Sequence, residues 1–429
     1  MRLTASQARE GLRERRFSVV DYADALLCRI EAREDFVHAW QCLDPAMVRD
    51  QARLLDARAA SGHLPPLHGL PIGVKDVFLT KDFPTEFNSP IYRGHASSID
   101  AAAVALLRHA GALVLGKTTT VEFAATGAAP PTRNPCDIDR TPGGSSSGSA
   151  AAVADFHVPL ALGTQTGGSL IRPASFCGVA ALKPTWGTVS TEGVHQFAPS
   201  LDTVGWFGRC VADLALILDV LAPWPPGSET RAGRGKAHVG VCRTDSWAAA
   251  EPATADALQR AADLLAAQPN VEVSGIDLPP QLDGLAGAHE AVMRAEGGVS
   301  FLPEYRRETR LLSPGIRALV EGRHSLDPAA LAAAHDLAAV ARTTFDAFAS
   351  RFDAILTPSV PGEAPLAAEG TGSFVFNGSW TLLHVPCVHV PGFRGSRGLP
   401  VGVTLTGARF CDRRVLRIAA LLEHALAAS

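Results

Sequence analysis

Two short runs rich in glycine and serine carry the residue types that acyl chemistry needs: Gly143-Gly144-Ser145-Ser146-Ser147-Gly148 and Thr166-Gly167-Gly168-Ser169. Glycines in a turn let several backbone N–H groups converge on one small space, unobstructed by side chains, as stabilising an oxyanion requires. Ser169 closes the second run and is placed to attack a carbonyl held there. A serine hydroxyl is a poor nucleophile at neutral pH, so this reading needs a base. None of the 14 histidines lies in a motif that marks it as the base of a Ser-His-Asp arrangement. Lys75, at the end of an apolar stretch bounded by Gly and Pro, is the alternative. A lysine at the end of a buried strand loses hydration, which lowers its pKa, and a neutral amine can accept a proton. The adjacent Asp76 faces the other side of a strand, because successive side chains alternate, and need not hold Lys75 as a cation. Taken alone, a lysine so placed is more commonly ion-paired or has its head drawn out to water.

Other chemistries fit these residues less well. The first serine run opens a small-residue helix, whose free N–H groups favour an anion, but it lacks the Gly-x-x-x-x-Gly-Lys-Ser/Thr spacing of a nucleotide loop. Gly144-x-Ser146-x-Gly148 matches a nucleophile elbow, yet the polar residues 137–142, ending in Pro142, cannot be the strand that such an elbow requires. His384, Cys387 and His389 are zinc-ligand types without a fourth ligand nearby, and they read better as a half-buried strand between two prolines. No metal and no cofactor is called for.

The elements that must position these groups follow a strand–helix–strand rhythm. Residues 1–65 read as a helical scaffold, with Thr4 or Ser6 and then Ser18 as caps. Strands are expected at 67–77, 112–117 and 157–163, with helices at 101–110 and 150–154, and these make up a catalytic core over 66–210. Further strands are expected at 239–242, 271–276, 352–357, 387–390 and 401–406, and helices at 211–221, 253–267 and 413–427. Residues 285–350 are almost purely helical in pattern. There is no long linker and no repeat, so one large α/β domain is expected, with a mixed, mostly parallel central sheet covered by helices on both faces.

Composition bounds the rest. With 429 residues, 47% hydrophobic and 19% charged, the chain can bury a large core. A formal charge of −4 without long runs of either sign argues against nucleic acid as a partner. The N-terminal residues become charged before any apolar stretch forms, and the most apolar helix, 211–221, falls short of the roughly 20 residues that span a bilayer, so the expectation is a cytoplasmic protein without membrane attachment. Eight scattered cysteines, with no Cys-x-x-Cys pair, read as reduced and mostly buried.

The motifs together resemble the amidase signature family. The matching segments are Gly73-Val74-Lys75-Asp76, Gly116-Lys117-Thr118, Arg133-Asn134-Pro135, the run from Pro142 to Val153, Leu162 to Ser169, Ile171-Arg172-Pro173-Ala174, Leu182-Lys183-Pro184-Thr185, Ser200-Leu201-Asp202-Thr203-Val204-Gly205, and a tail through Phe376-Asn377, Trp380-Thr381 and 399–403. The weakest match, 285–350, is the region that shapes the substrate pocket in this family. The resemblance implies a Ser-cisSer-Lys triad of Ser169, Ser145 and Lys75, with a cis peptide before Ser145, and an oxyanion hole from the N–H groups of Thr166, Gly167, Gly168 and Ser169. Gly144, Ser146, Tyr305 and Arg307 are the candidates for substrate contact. Gln165 stands where many members carry Asp, and Ser147 where glycine is usual. The implied function is cofactor-independent hydrolysis of a small-molecule carboxamide through a Ser169 acyl-enzyme, with a homodimer allowed for. Two alternatives remain open. One is a ureido-amide hydrolase of allophanate or carboxybiuret type, in which Tyr305, Arg306, Arg307 and Arg310 clamp a carboxylate. The other is the amidase component of a tRNA-dependent amidotransferase. The arginine cluster alone reads more simply as a solvated helix face.

Overall fold

The computed structural model describes residues 2–59, 62, 64–222 and 235–429, so Met1 and residues 60, 61 and 63 of the expected N-terminal scaffold lie outside the described residues. Among the described residues, eleven strands form one sheet: β1 (Trp40–Leu43), β2 (Pro71–Lys75), β3 (Leu113–Thr118), β4 (Leu160–Gln165), β5 (Ala180–Lys183), β6 (Thr203–Gly208), β7 (Ala237–Cys242), β8 (Val271–Ile276), β9 (Ala354–Pro358), β10 (Cys387–Arg394) and β11 (Pro400–Thr406). Their spatial order is β1-β3-β2-β4-β6-β5-β10-β11-β9-β7-β8. Every residue of β2, β3, β4, β5, β6, β9 and β11 is buried. Because side chains alternate between faces, complete burial requires cover on both sides of the sheet, as expected. The edge strands β1 and β8 are half-exposed.

The sheet is mixed, but its balance differs from the expected predominance of parallel pairs. Parallel ladders occur in two blocks, β3-β2-β4 and β9-β7-β8, while the six other ladders are antiparallel. The strand–helix–strand rhythm of residues 71–165 holds only locally. Between β10 and β11 the connection 395–399 is too short for a parallel crossover, which fixes that pair as antiparallel. β5 and β6, unforeseen in the sequence, fill the middle of the sheet: Ala180–Lys183 is short, and Thr203–Gly208 carries two glycines in place of a β-branched run.

The N-terminal helices are capped as the sequence suggests. Thr4 accepts from the Gln7 N–H and Ser18 from the Asp21 N–H, both in capping boxes, while Ser6 binds the buried Asp213 carboxylate. The scaffold also contributes β1, which pairs with β3. The alanine-rich helix Ser147–Ala154 packs on β2, β3 and β4. At Gly148 it comes so close that a Cβ would lie 2.2 Å from the Ala39 carbonyl oxygen. Residues 285–350 form helices Leu285–Ser300, Leu302–Glu308, Pro314–Gly322 and Pro328–Ala349. No helix among the described residues is long and apolar enough to cross a membrane. Of the cysteines only Cys177, Cys242 and Cys387 are buried, fewer than expected, and Cys28 and Cys136 are exposed. Cys28 lies on an outward position of an amphipathic helix and Cys136 in a surface loop, positions that periodicity alone does not protect.

Candidate active site

Lys75 is the last residue of β2 and is completely buried. Its Nζ donates to Ser145 Oγ at 2.9 Å and to Thr164 Oγ1 at 2.7 Å, so its partners are hydroxyls rather than a carboxylate. Burial pushes its pKa down from the usual lysine range to about 7, with the Asp202 carboxylate opposing the shift. Asp76 turns away, as strand alternation predicts, and forms a 2.9 Å ion pair with Lys117 Nζ.

The serine run sorts itself by hydrogen bonding. Ser146 Oγ donates to the Thr164 carbonyl (3.2 Å) and accepts from its N–H (3.3 Å), Ser147 Oγ donates to the Gly143 carbonyl, and Ser149 Oγ donates to the Leu162 carbonyl. These three are bound to backbone. Ser145, 2% exposed, presents its hydroxyl to Lys75, and the Gly144–Ser145 peptide is cis. Arg172, from the helix Ile171–Cys177 that follows Ser169, donates through Nε and Nη2 to the Gly144 carbonyl at 3.1 and 2.6 Å. That clamp ties the segment entering Ser145 to the segment leaving Ser169.

The turn between β4 and this helix is oriented through its carbonyls. His289 Nε2 donates to the Thr166 carbonyl at 2.8 Å, Thr381 Oγ1 donates to the Gly167 carbonyl at 2.9 Å, and the Arg172 N–H donates to the Gly168 carbonyl at 2.9 Å. In a planar trans peptide the N–H points opposite to the C=O, so fixing these carbonyls turns the N–H groups of Gly167, Gly168 and Ser169 the other way. Among the described residues those three N–H groups have no protein acceptor, whereas the next two, of Leu170 and Ile171, are taken by Gln165 Oε1 at 2.9 and 3.1 Å. Gln165 therefore caps the helix after the nucleophile candidate, and its Nε2 reaches Thr381 Oγ1 at 3.1 Å. Space at the turn is tight: a Cβ at Gly168 would meet Asn377 Oδ1 at 2.5 Å, which something would have to shift to admit, and one at Gly167 would press on the Phe374 ring at 3.0 Å. Ser169 itself is 8% exposed. A buried amine next to one serine, clamped to a turn that offers a second serine and three free N–H donors, is suited to acyl transfer.

The remaining sequence candidates are engaged elsewhere. Ser146 is occupied by Thr164, and the Gly144 carbonyl by Arg172. Tyr305 donates its hydroxyl to Glu321 at 2.9 Å, and the exposed Arg307 guanidinium lies over the Tyr92 ring. His384 bonds the Ser200 carbonyl, His389 bonds Ser359 Oγ and the Cys387 thiol faces the Val385 carbonyl, which sends the three zinc-ligand types to separate partners. Three supporting residues were not legible from sequence. Thr164 and Thr381 lie inside segments that resemble the family but carried no role there, and His289 sits on a helix with nothing but its polarity to mark it.

Fold and site thus define an α/β protein built for attack on a carbonyl carbon. The chain belongs to the amidase family, whose model matches residues 21–416. Family members act on carbon–nitrogen amide bonds, so the expected enzyme class holds. The chain is 36% identical to a glutamyl-tRNA(Gln) amidotransferase subunit from Roseiflexus castenholzii, over 97% of this chain and 94% of that one. That alignment runs to 475 positions, more than the 429 residues here, so the relative carries insertions. Among solved structures, a protein from a vestigial complex bearing on the evolutionary origins of an s-triazine catabolic enzyme superposes with a TM-score of 0.88 at 31% identity, covering 98% of both chains. The peptide amidase of Stenotrophomonas maltophilia superposes with a TM-score of 0.83 at 26% identity, covering 98% of this chain and 96% of the other.

Proposed function

We propose that this chain is a cofactor-independent, cytoplasmic amidohydrolase that cleaves a small-molecule carboxamide to a carboxylate and ammonia or an amine. Neutral Lys75 takes a proton from Ser145, and Ser145 takes one from Ser169. The Ser169 oxygen adds to the amide carbonyl, and the oxyanion rests on the N–H groups of the turn Thr166–Ser169. Collapse breaks the C–N bond as Ser145 returns its proton to the departing nitrogen, and water then releases the acyl group by the same relay. Gly144 and Ser146 stay as candidates for substrate contact, with the carbonyl of Gly144 and the hydroxyl of Ser146 already committed to the protein, whereas Tyr305 and Arg307, engaged by Glu321 and Tyr92, have at most a minor part in this reading. In this reading residues 1–65 are scaffold, 66–210 the catalytic core, and 285–350 the substrate-shaping region, the last supported by the reach of His289 to the glycine turn.

The observation that carries the reading is the buried amine of Lys75, held by two hydroxyls with no carboxylate in contact among the described residues. A fluorophosphonate probe tests it: a mass adduct is expected on Ser169, absent in Ser169→Ala and slowed in Lys75→Ala. No adduct on any serine of the wild-type chain would overturn the reading. A second reading, the amidase component of a tRNA-dependent amidotransferase, is favoured by the relatives of that name. Ammonia release from simple amides by the chain alone decides for the hydrolase, and release only with partner proteins decides for the other. The ureido-amide variant has less support, because Tyr305 and Arg307 are engaged by Glu321 and Tyr92.

A further inference from the structure

Asp202 lies just before β6 and is almost wholly buried, yet among the described residues its carboxylate has no cation in contact. Its Oδ1 accepts from Thr166 Oγ1, and its Oδ2 accepts from the N–H groups of Phe197 (2.7 Å) and Ala198 (3.1 Å). Thr166 opens the glycine turn, so Asp202 pins the start of that turn to the loop 197–198. Phe197 in turn stacks on Phe301, which follows helix Leu285–Ser300. A cavity of about 10 Å³, room for about one water, is lined by Thr164, Thr166, His195 and Asp202. Thr164 is also a direct partner of Lys75 Nζ.

We infer that Asp202 is a positioning residue for the amidase reaction: it holds the glycine turn in register through Thr166 and supplies the negative charge that Lys75 senses from behind its hydroxyl partners. The inference rests on the amidase reading of the site. Two observations carry it. The first is a carboxylate spending its hydrogen bonds on the turn that offers the oxyanion donors. The second is that Asp202 lines the same small cavity as Thr164, a direct partner of Lys75 Nζ, so the carboxylate lies behind a hydroxyl that holds the amine. The titratable groups around Asp202 are Lys75 on β2, His195 across the small cavity, Glu304 on helix Leu302–Glu308 behind His195, and His289, which reaches the same turn through the Thr166 carbonyl. Burial pushes Asp202 up to about 6, and its charge favours the protonated form of Lys75. Removing that charge makes the amine easier to deprotonate while loosening the turn, so the two consequences have opposite signs and can be separated.

The test uses the whole chain and three variants. Wild type must first release ammonia from a simple amide and take a fluorophosphonate adduct at Ser169; if it does neither, the amidase reading fails on its own. Given that activity, Asp202→Asn is expected to lower kcat by about tenfold or more, the scale of losing a hydrogen bond to a charged group, with KM little changed. Its kcat/KM profile should also have an acid limb displaced to lower pH. Thr166→Val should lower kcat, because it releases the turn from Asp202, and Thr166→Ser should restore kcat. An unmoved acid limb in folded Asp202→Asn overturns the inference while leaving the amidase reading intact. Should Asp202→Asn fail to fold in a thermal melt, the Thr166 pair decides, and wild-type kcat in Thr166→Val overturns the inference.

Discussion

Lys75 and Lys117 sit on adjacent parallel strands, with Val74 in register with Lys117, and both are fully buried. Lys117 Nζ meets Asp76 Oδ1 at 2.9 Å and Thr85 Oγ1 at 2.6 Å, so each member of the ion pair offsets the burial that works against the other's charge. Lys75, one position beyond Val74 and itself in register with Thr118, meets only Ser145 and Thr164. The strand alternation that sends Asp76 towards Lys117 withholds it from Lys75. The same residue type, at equal burial on neighbouring strands, is therefore a structural cation in one case and a candidate base in the other. What separates them is the side of the strand on which a single carboxylate lies.

Substitutions should break this symmetry in opposite directions. The largest effect is expected from Lys75→Met, which should lower kcat by about 10⁴-fold, the upper range for loss of a general base. Lys117→Met should instead unfold the protein more readily by about 3–5 kcal/mol, because it leaves the Asp76 carboxylate buried without a partner. Chemical denaturation checks the second and steady-state ammonia release the first. Gly168→Ala comes next, with a loss of about 10²-fold in kcat, since its Cβ would press on Asn377 and Phe374 and swing the donors of the turn.

A smaller, pH-dependent difference sharpens the contrast. Lys75 has a folded pKa of about 7 against an ordinary 10.5. Between those values the unfolded chain holds the proton that the folded chain has released. Wild-type stability should therefore rise with pH across this window, by at most about 1.4 kcal/mol per pH unit, and the rise should vanish in Lys75→Met. The smallest effects are expected at Tyr305→Phe and Arg307→Ala, whose partners are Glu321 and Tyr92, with kcat/KM changed by no more than about two-fold.

Lys75 and Ser169 stood out as candidates through local pattern, whereas Ser145 was singled out from its serine run only by the resemblance to the family. Lys75 ends an apolar run, Ser169 ends a glycine turn after another, and the small-residue helix after Ser145 had to pack closely on something, which proved to be β2, β3 and β4. What the sequence hid is what long-range contact decides. β5 and β6 lack β-branched runs and are strands only because the sheet pairs them on both sides. His289 and Thr381 act on carbonyls 123 and 214 residues away, a distance at which no spacing rule operates. Tyr305 and Arg307 drew notice through their charge and hydrogen-bonding capacity, and the helix that carries them spends both on its own surroundings.

The relay requires an uncharged amine at Lys75, and the direct measurement is NMR titration of lysine side chains carrying ¹³C at Cε, with Lys75 and Lys117 assigned through their Met variants. The prediction is a Lys75 resonance that titrates near pH 7 while that of Lys117 stays that of a cation through the same range. A Lys75 resonance that remains cationic up to the ordinary lysine range would contradict the proposed relay.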